Sequence, residues 1–114
     1  MAGLQWAVVE ADLNPVRGSE QRGRRPVLVV SNEQFNRAMP NVTVVPLTST
    51  QRRLYPSEVL LPQGAVGHLR ASIAMAHQIR TIAKQRLRGV LGYLDDPAHR
   101  EAVREALKEH LDLE

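Results

Sequence analysis

The sequence contains no cysteine among its 114 residues. Disulfides and thiolate metal sites are therefore excluded, and a reducing, intracellular setting fits. Aromatic residues are scarce: one tryptophan, two tyrosines and one phenylalanine. A broad stacking platform for bases is thus missing, and any reading of a nucleic acid must rest mostly on loop hydrogen bonds. No apolar run approaches the roughly 20 residues that a membrane span requires. The first residues lack the charged-then-apolar pattern of a secretory leader. The expected location is the cytoplasm, without a membrane partner. Lysine is also rare, since Lys84 and Lys108 are the only two.

The positive charge that is present is arginine, and it is unevenly placed. Residues 16–53 hold Arg17, Arg22, Arg24, Arg25, Arg37, Arg52 and Arg53 against Glu20 and Glu33. The last twenty residues hold seven acids against Arg100, Arg104 and Lys108. Arginine grips phosphate with two parallel N–H groups, which lysine cannot do. The basic half therefore reads as a polyanion surface rather than a solvated face, because its arginines flank strand ends.

One small domain over 1–114 is expected from the length. A core of that size is modest, and a dimer interface would add to its stability. Trp6–Leu13 reads as a first strand, closed by Asn14-Pro15. Residues 14–25 form a long loop, which makes it a functional candidate. Val27–Val30 is a buried strand, and Ser31–Gln34 with Asn36–Asn41 is read as turn and polar connection. Val42–Leu47 is the third strand, followed by a hydroxyl-rich, basic loop over 48–53. Short strands follow at Glu58–Leu61 and at Ser72–Ala76, the latter running on to Ile79. Thr81–Leu87 reads as a helical turn or two, and Gly89–Leu94 as a last strand. Asp95-Asp96-Pro97 then opens a helix with an apolar stripe at Ala102, Val103, Ala106, Leu107, His110 and Leu111. Short strands between Gly/Pro turns at regular spacing predict a small twisted barrel.

The stretch with most chemistry is Gly18-Ser19-Glu20-Gln21-Arg22-Gly23-Arg24-Arg25-Pro26, running into Val27-Leu28-Val29-Val30-Ser31-Asn32. Gly18 and Gly23 permit turns that other residues resist. Pro26 holds Arg25 extended. Arg24 and Arg25 then stand on a rigid support beside a loop carrying Ser19, Glu20 and Gln21. That arrangement suits binding or cleaving a phosphate ester.

These residues resemble the MazF/PemK family of toxin endoribonucleases. Asp12-Leu13-Asn14-Pro15 before the loop, Val45-Pro46-Leu47-Thr48-Ser49 after it, and Gln78-Ile79-Arg80-Thr81-Ile82 extend the resemblance in the same order. It covers roughly residues 8–94 and departs at two places. Gln5-Trp6-Ala7 stands where the family has Arg-Gly-acid, and Ala83 replaces an acid that would cap a helix. Trp6 is read as a core or interface residue.

The resemblance implies a mainly β (α+β) fold. This is a small SH3-like barrel, PemK/CcdB-like, with short helices and a C-terminal α-helix. It implies the toxin of a type II toxin–antitoxin system: a homodimeric, metal-independent, sequence-specific endoribonuclease of single-stranded RNA, needing no cofactor. The products would be a 2′,3′-cyclic phosphate or 3′-phosphate and a 5′-hydroxyl. The partner would be a cognate antitoxin with a disordered acidic tail. Two alternatives share the fold: a non-catalytic toxin that binds DNA gyrase, and an RNA-binding module without cleavage.

Within this resemblance Arg25 and Thr48 form the catalytic pair. A guanidinium stays charged and matches two phosphoryl oxygens of the phosphorane. The Thr48 hydroxyl can donate to a phosphate oxygen. Glu20 is the chemically sensible base for the 2′ proton, and loop mobility decides whether it reaches. Ser19, Gln21 and Gln78 either read base edges or tie down loops. Arg24, Ser49, Arg52, Arg53 and Tyr55 are candidates to grip flanking phosphates and stack one base. Four histidines invite a two-histidine acid–base mechanism, but His99 and His110 lie far in sequence from the basic loop. Strand alternation would turn His77 away from Gln78. No histidine pair has metal-ligand spacing with nearby carboxylates, and no metal is expected.

Overall fold

The computed structural model of the protein describes residues 3–14, 18 and 23–114. Seven strands form one antiparallel sheet: β1 Ala7–Asp12, β2 Arg24–Val29, β3 Asn41–Thr48, β4 Glu58–Leu61, β5 Ser72–Met75, β6 Arg80–Ala83 and β7 Leu87–Tyr93. Two helices accompany it, α1 Glu33–Ala38 and α2 Pro97–Leu111. The strand order is β4-β5-β3-β2-β1-β7, with β6 also paired to β3.

β1, β2 and β3 are apolar on both faces, which explains their continuous rather than alternating hydrophobic runs. Val8, Leu28, Val45 and Leu47 point into one core cluster. Val9, Val27, Val29 and Val44 point into a second, on the other face. Helix α2 covers the first cluster through Val103. The second is shared by Ile82 of β6 and Leu87 of β7, so the sheet curls around it. Among the described residues no ladder joins the ends of the path, β4 and β7. The mainly β fold class holds, but the expected barrel is a curled sheet that does not close.

The long loop between β1 and β2 is closed at its base by backbone geometry. Gly18 and Gly23 both adopt positive φ, 60° and 76°, as their place in the sequence predicts. Leu13 N–H donates to Gly23 O at 3.0 Å, and Gly23 N–H donates to Asn14 Oδ1 at 3.1 Å. β2 begins at Arg24, earlier than the apolar run alone suggests, because Arg24 pairs with Asp12 and Arg25 with Ala11.

Three expectations are corrected. The polar connection after Ser31 contains α1. Its cap is Asn32, whose Oδ1 accepts the Phe35 N–H at 2.8 Å, and local side-chain hydrogen bonding of this kind serves turn and helix start equally. The strand from Ser72 stops at Met75 and gives way to a 3₁₀ turn at Ala76–Gln78. The stretch Thr81–Leu87 is not helical throughout: β6 pairs with β3, Ile82 opposite Val42 and Thr81 opposite Thr43. Only Lys84–Arg86 forms a 3₁₀ turn, and its cap position Ala83 makes no side-chain bond to it. A long-range ladder overrides the local helical preference there.

Trp6 is a core residue, 6% exposed, despite a positive φ of 68°. The guanidinium groups of Arg100 and Arg104 lie over its ring at 5.4 and 5.0 Å, so Trp6 seats α2 against β1. The helix itself opens as expected. Asp96 Oδ1 accepts the Ala98 N–H at 2.8 Å, with Pro97 in the first turn. Asp96→Ala should lower folding stability by about 1 kcal/mol, read as a drop in thermal midpoint. An unchanged midpoint would mean that Trp6 and the core contacts alone hold the helix start.

Candidate active site

The first candidate pair is set by strand register. β2 and β3 run antiparallel with Val27 opposite Pro46 and Val29 opposite Val44. The ladder ends at Val27–Pro46, and Arg25 and Thr48 lie two residues beyond it, one on each strand. Side chains two apart along a strand share a face. Arg25 therefore follows Val27 and Val29, and Thr48 follows Val44 and Pro46, on the face of the second cluster. Arg25 stands near the start of β2, and Thr48 ends β3 where the basic loop begins. Arg25 is exposed and Thr48 is buried, 7% exposed. On the other side of Arg25 its partner is Ala11, a small residue that leaves room beside the guanidinium.

Thr48 Oγ1 accepts the Thr50 N–H at 3.2 Å, which leaves the hydroxyl proton to be donated elsewhere. Arg24 lies on the opposite face by alternation, with its guanidinium 4.0 Å from Glu10. The two neighbouring arginines thus serve different faces. Ser19, Glu20 and Gln21 lie outside the described residues.

The basic loop after Thr48 is organised by a residue that sequence reasoning passed over. Glu58, the first residue of β4, has a fully buried carboxylate that accepts four hydrogen bonds. Arg52 holds it bidentately at 2.8 and 2.9 Å, Tyr55 N–H donates at 2.7 Å, and His77 Nε2 lies at 2.9 Å. The Arg52 guanidinium first, then the Tyr55 N–H and His77, hold Glu58 down to about 2 against the opposing effect of burial. The same bond raises Arg52 above its ordinary value. The Arg52 guanidinium also lies over the Tyr55 ring at 4.5 Å. Arg52 is therefore engaged within the protein, while Arg53 and Tyr55 are exposed. Ser49 is exposed as well, and its carbonyl accepts Gln51 Nε2 at 3.3 Å. The signal for Glu58 was available: a lone acid six residues after an arginine in an otherwise basic segment.

His77 sits in the 3₁₀ turn, so the strand alternation invoked to separate it from Gln78 does not apply. It bridges Glu58 and the terminal helix, its ring edge-on to His110 at 6.5 Å. His110 is thus close in space to the basic loop, contrary to its distance in sequence. Gln78 is half-buried, with Nε2 3.9 Å from Met75 Sδ, a weak contact. Among the described residues no helix is long and apolar enough to cross a membrane.

Comparison with known proteins points the same way as the residues. A family model for PemK-like, MazF-like toxins of type II toxin–antitoxin systems matches residues 4–111. Endoribonuclease MazF9 of Mycobacterium tuberculosis is 41% identical over 116 residues, spanning 97% of this chain and 95% of that protein. Endoribonuclease EndoA of Bacillus subtilis is 45% identical over 87 residues, 75% of each chain. A mycobacterial endoribonuclease solved in complex with its cognate antitoxin superposes with a TM-score of 0.81 at 32% identity, covering 99% of this chain and 98% of that one. MazF of Deinococcus radiodurans superposes with a TM-score of 0.84 at 27% identity, covering 99% of both chains.

Proposed function

The chain belongs to the PemK-like, MazF-like toxins of type II toxin–antitoxin systems, and on that footing we propose that it is an endoribonuclease that cuts single-stranded RNA without a metal. The observation that supports this reading is strand alternation from the β2–β3 ladder, which assigns Arg25 and Thr48 to the same face just beyond its last pair. RNA supplies its own nucleophile. The 2′-oxygen attacks the adjacent phosphorus, the O2′–P bond forms, and the P–O5′ bond breaks. A 2′,3′-cyclic phosphate remains on one fragment, and the other leaves with a 5′-hydroxyl. Glu20 takes the 2′ proton, and Arg25 or a water gives one to the departing 5′-oxygen. Arg25 meets two oxygens of the phosphorane, and Thr48 donates its free hydroxyl proton to a phosphoryl oxygen. Ser19, Gln21 and Gln78 hold splayed bases. Ser49 and Arg53 meet flanking phosphates and Tyr55 stacks one base, while Arg24, on the opposite face beside Glu10, is left out of this contact set. Arg52 contributes through Tyr55, which it supports from behind.

The whole chain acts as one domain, paired as a homodimer in the cytoplasm. A cognate antitoxin silences it, its acidic tail occupying the arginine surface in place of RNA. The solved relative bound to its antitoxin supports that partner.

The test is incubation of the purified protein with a long single-stranded RNA in EDTA. Discrete fragments with 5′-hydroxyl ends and 2′,3′-cyclic phosphates are expected, and their ends give the recognition sequence. RNA that is retarded in a gel but left intact would overturn cleavage and leave a binding module. RNA neither cut nor retarded would favour a toxin that acts on a protein.

A further inference from the structure

We propose that the outer edge of β4, together with the flank of α2, forms a docking groove for an extended peptide in which apolar and basic residues alternate. β4 ends the strand path, pairs only with β5, and has no other described strand against it. The parity of that ladder follows from one bond just outside it, Ala76 N–H to Ser57 O at 3.1 Å. In an antiparallel ladder, bonded pairs alternate with non-bonded pairs. With Ser57 and Ala76 bonded, Val59–Ala74 and Leu61–Ser72 are the bonded pairs of the register. The main-chain groups of Glu58 and Leu60 therefore turn away from β5. They offer an added strand two N–H and two C=O groups.

Beside that edge lies a groove of about 430 Å³, walled by Leu54, Val59 and Leu60 on one side and Ala102 and Ala106 of α2 on the other. Leu54 and Leu60 are 43% and 47% exposed, large apolar side chains with nothing over them among the described residues. The alanines keep the helix side low, so side chains of an added strand have depth to enter. The wall is preorganised, because Glu58 pins the segment bearing Leu54 at both Arg52 and Tyr55.

Charge selects the occupant. Glu105 and Glu109 line the groove from α2, within a stretch where acids outnumber bases by seven to three. Glu105 reaches Lys108 at 3.3 Å, an exposed pair that contributes little and is readily exchanged. An RNA or an acidic tail would be repelled here. A strand with apolar residues on one face and Arg or Lys on the other would bury the first against the leucines and set the second beside the glutamates. The groove is thus distinct in chemistry from the arginine face, and the inference does not depend on cleavage.

The experiment is a titration of the full chain against fluorescein-labelled Lys-Val-Arg-Leu-Lys-Val, capped at both ends, followed by anisotropy. Saturable binding is expected below about 1 mM. The double variant Glu105→Lys, Glu109→Lys and the single variant Leu60→Lys should each weaken it at least about ten-fold. All these positions are on the surface, so the variants should keep the native thermal midpoint. A peptide with proline at its central positions should lose binding, because it lacks the N–H groups an added strand donates. The idea fails if the parent peptide does not saturate, if a Glu-Val-Glu-Leu-Glu-Val peptide binds equally well, or if both variants bind like the native protein. Equal binding of the proline peptide would also overturn it, since simple adhesion to an acidic helix would then suffice.

Discussion

Arg25→Ala should lower kcat/KM on a cleavable RNA by about 10³-fold, the loss of about 4 kcal/mol of transition-state stabilisation. Arg25 is carried by a strand paired with β1, on the same face as Thr48 by alternation, which would place its guanidinium ahead of the reaction in the proposed mechanism. It is exposed, so folding stability should move by less than about 1 kcal/mol. Arg25→Lys keeps the charge but loses the two-pronged geometry, and should recover only about a tenth of the lost rate. Thr48→Ala removes one neutral donor and should cost about 10–100-fold, less than the arginine. Thr48→Ser, which keeps the hydroxyl, should cost little. Initial rates on a short labelled RNA, with gel retardation alongside, separate chemistry from binding. Arg25→Ala cleaving within ten-fold of the native rate would sink the proposed mechanism.

Glu58→Ala should be the most damaging change away from the reaction. The carboxylate is fully buried and accepts four hydrogen bonds from three residues. Its removal leaves the Tyr55 N–H and His77 without their acceptor and the Arg52 charge without its partner. Breaking one side of such a pair costs about 3–5 kcal/mol. Arg52 keeps some access to water at 27% side-chain exposure, which places the expected loss at the lower end. Glu58→Gln keeps the shape and one acceptor, and should cost about half as much. Both changes should also release the Arg52–Tyr55 stack and weaken RNA binding. Normal stability of Glu58→Ala in urea unfolding would refute this account.

The same group predicts an acid limit. Glu58 is depressed from 4.5 to about 2 in the folded protein. Above pH 4.5 both folded and unfolded states carry the charge, and the stabilisation is complete. As the pH falls from about 4.5 through about 2 the unfolded state takes the proton first, and the stabilisation is progressively lost. Acid unfolding of the native protein should therefore steepen across that range, and the steepening should shrink in Glu58→Gln.

Several elements were legible because their signal is local. The runs Val27–Val30 and Val42–Leu47 are β-branched and apolar, and no other element suits them. Asp96-Pro97 followed by an apolar stripe announces α2. Gly18 and Gly23 bracket a loop that needs positive φ at both ends. Other features depend on partners distant in sequence. Thr81–Ala83 becomes a strand only because β3 offers it a ladder. α1 hides behind an asparagine that reads equally well as turn or cap. Glu58 looks like an ordinary strand residue until Arg52 and His77 converge on it.

Residue order alone therefore carried the chemistry available to this protein: an arginine-based surface, the loop–strand carrier of Arg25, the hydroxyl of Thr48, and an acidic terminal helix. Composition and short motifs suffice for that, because charge, donor type and backbone preference belong to the residues themselves. The tertiary structure decided how those groups are shared out. Strand alternation put Arg25 and Thr48 on one face and sent Arg24 to the other. Packing placed Trp6 beneath two arginines of α2 and withdrew Arg52 onto a buried carboxylate. These outcomes are pairings across the chain, and their energies exist only once burial has stripped water from both partners.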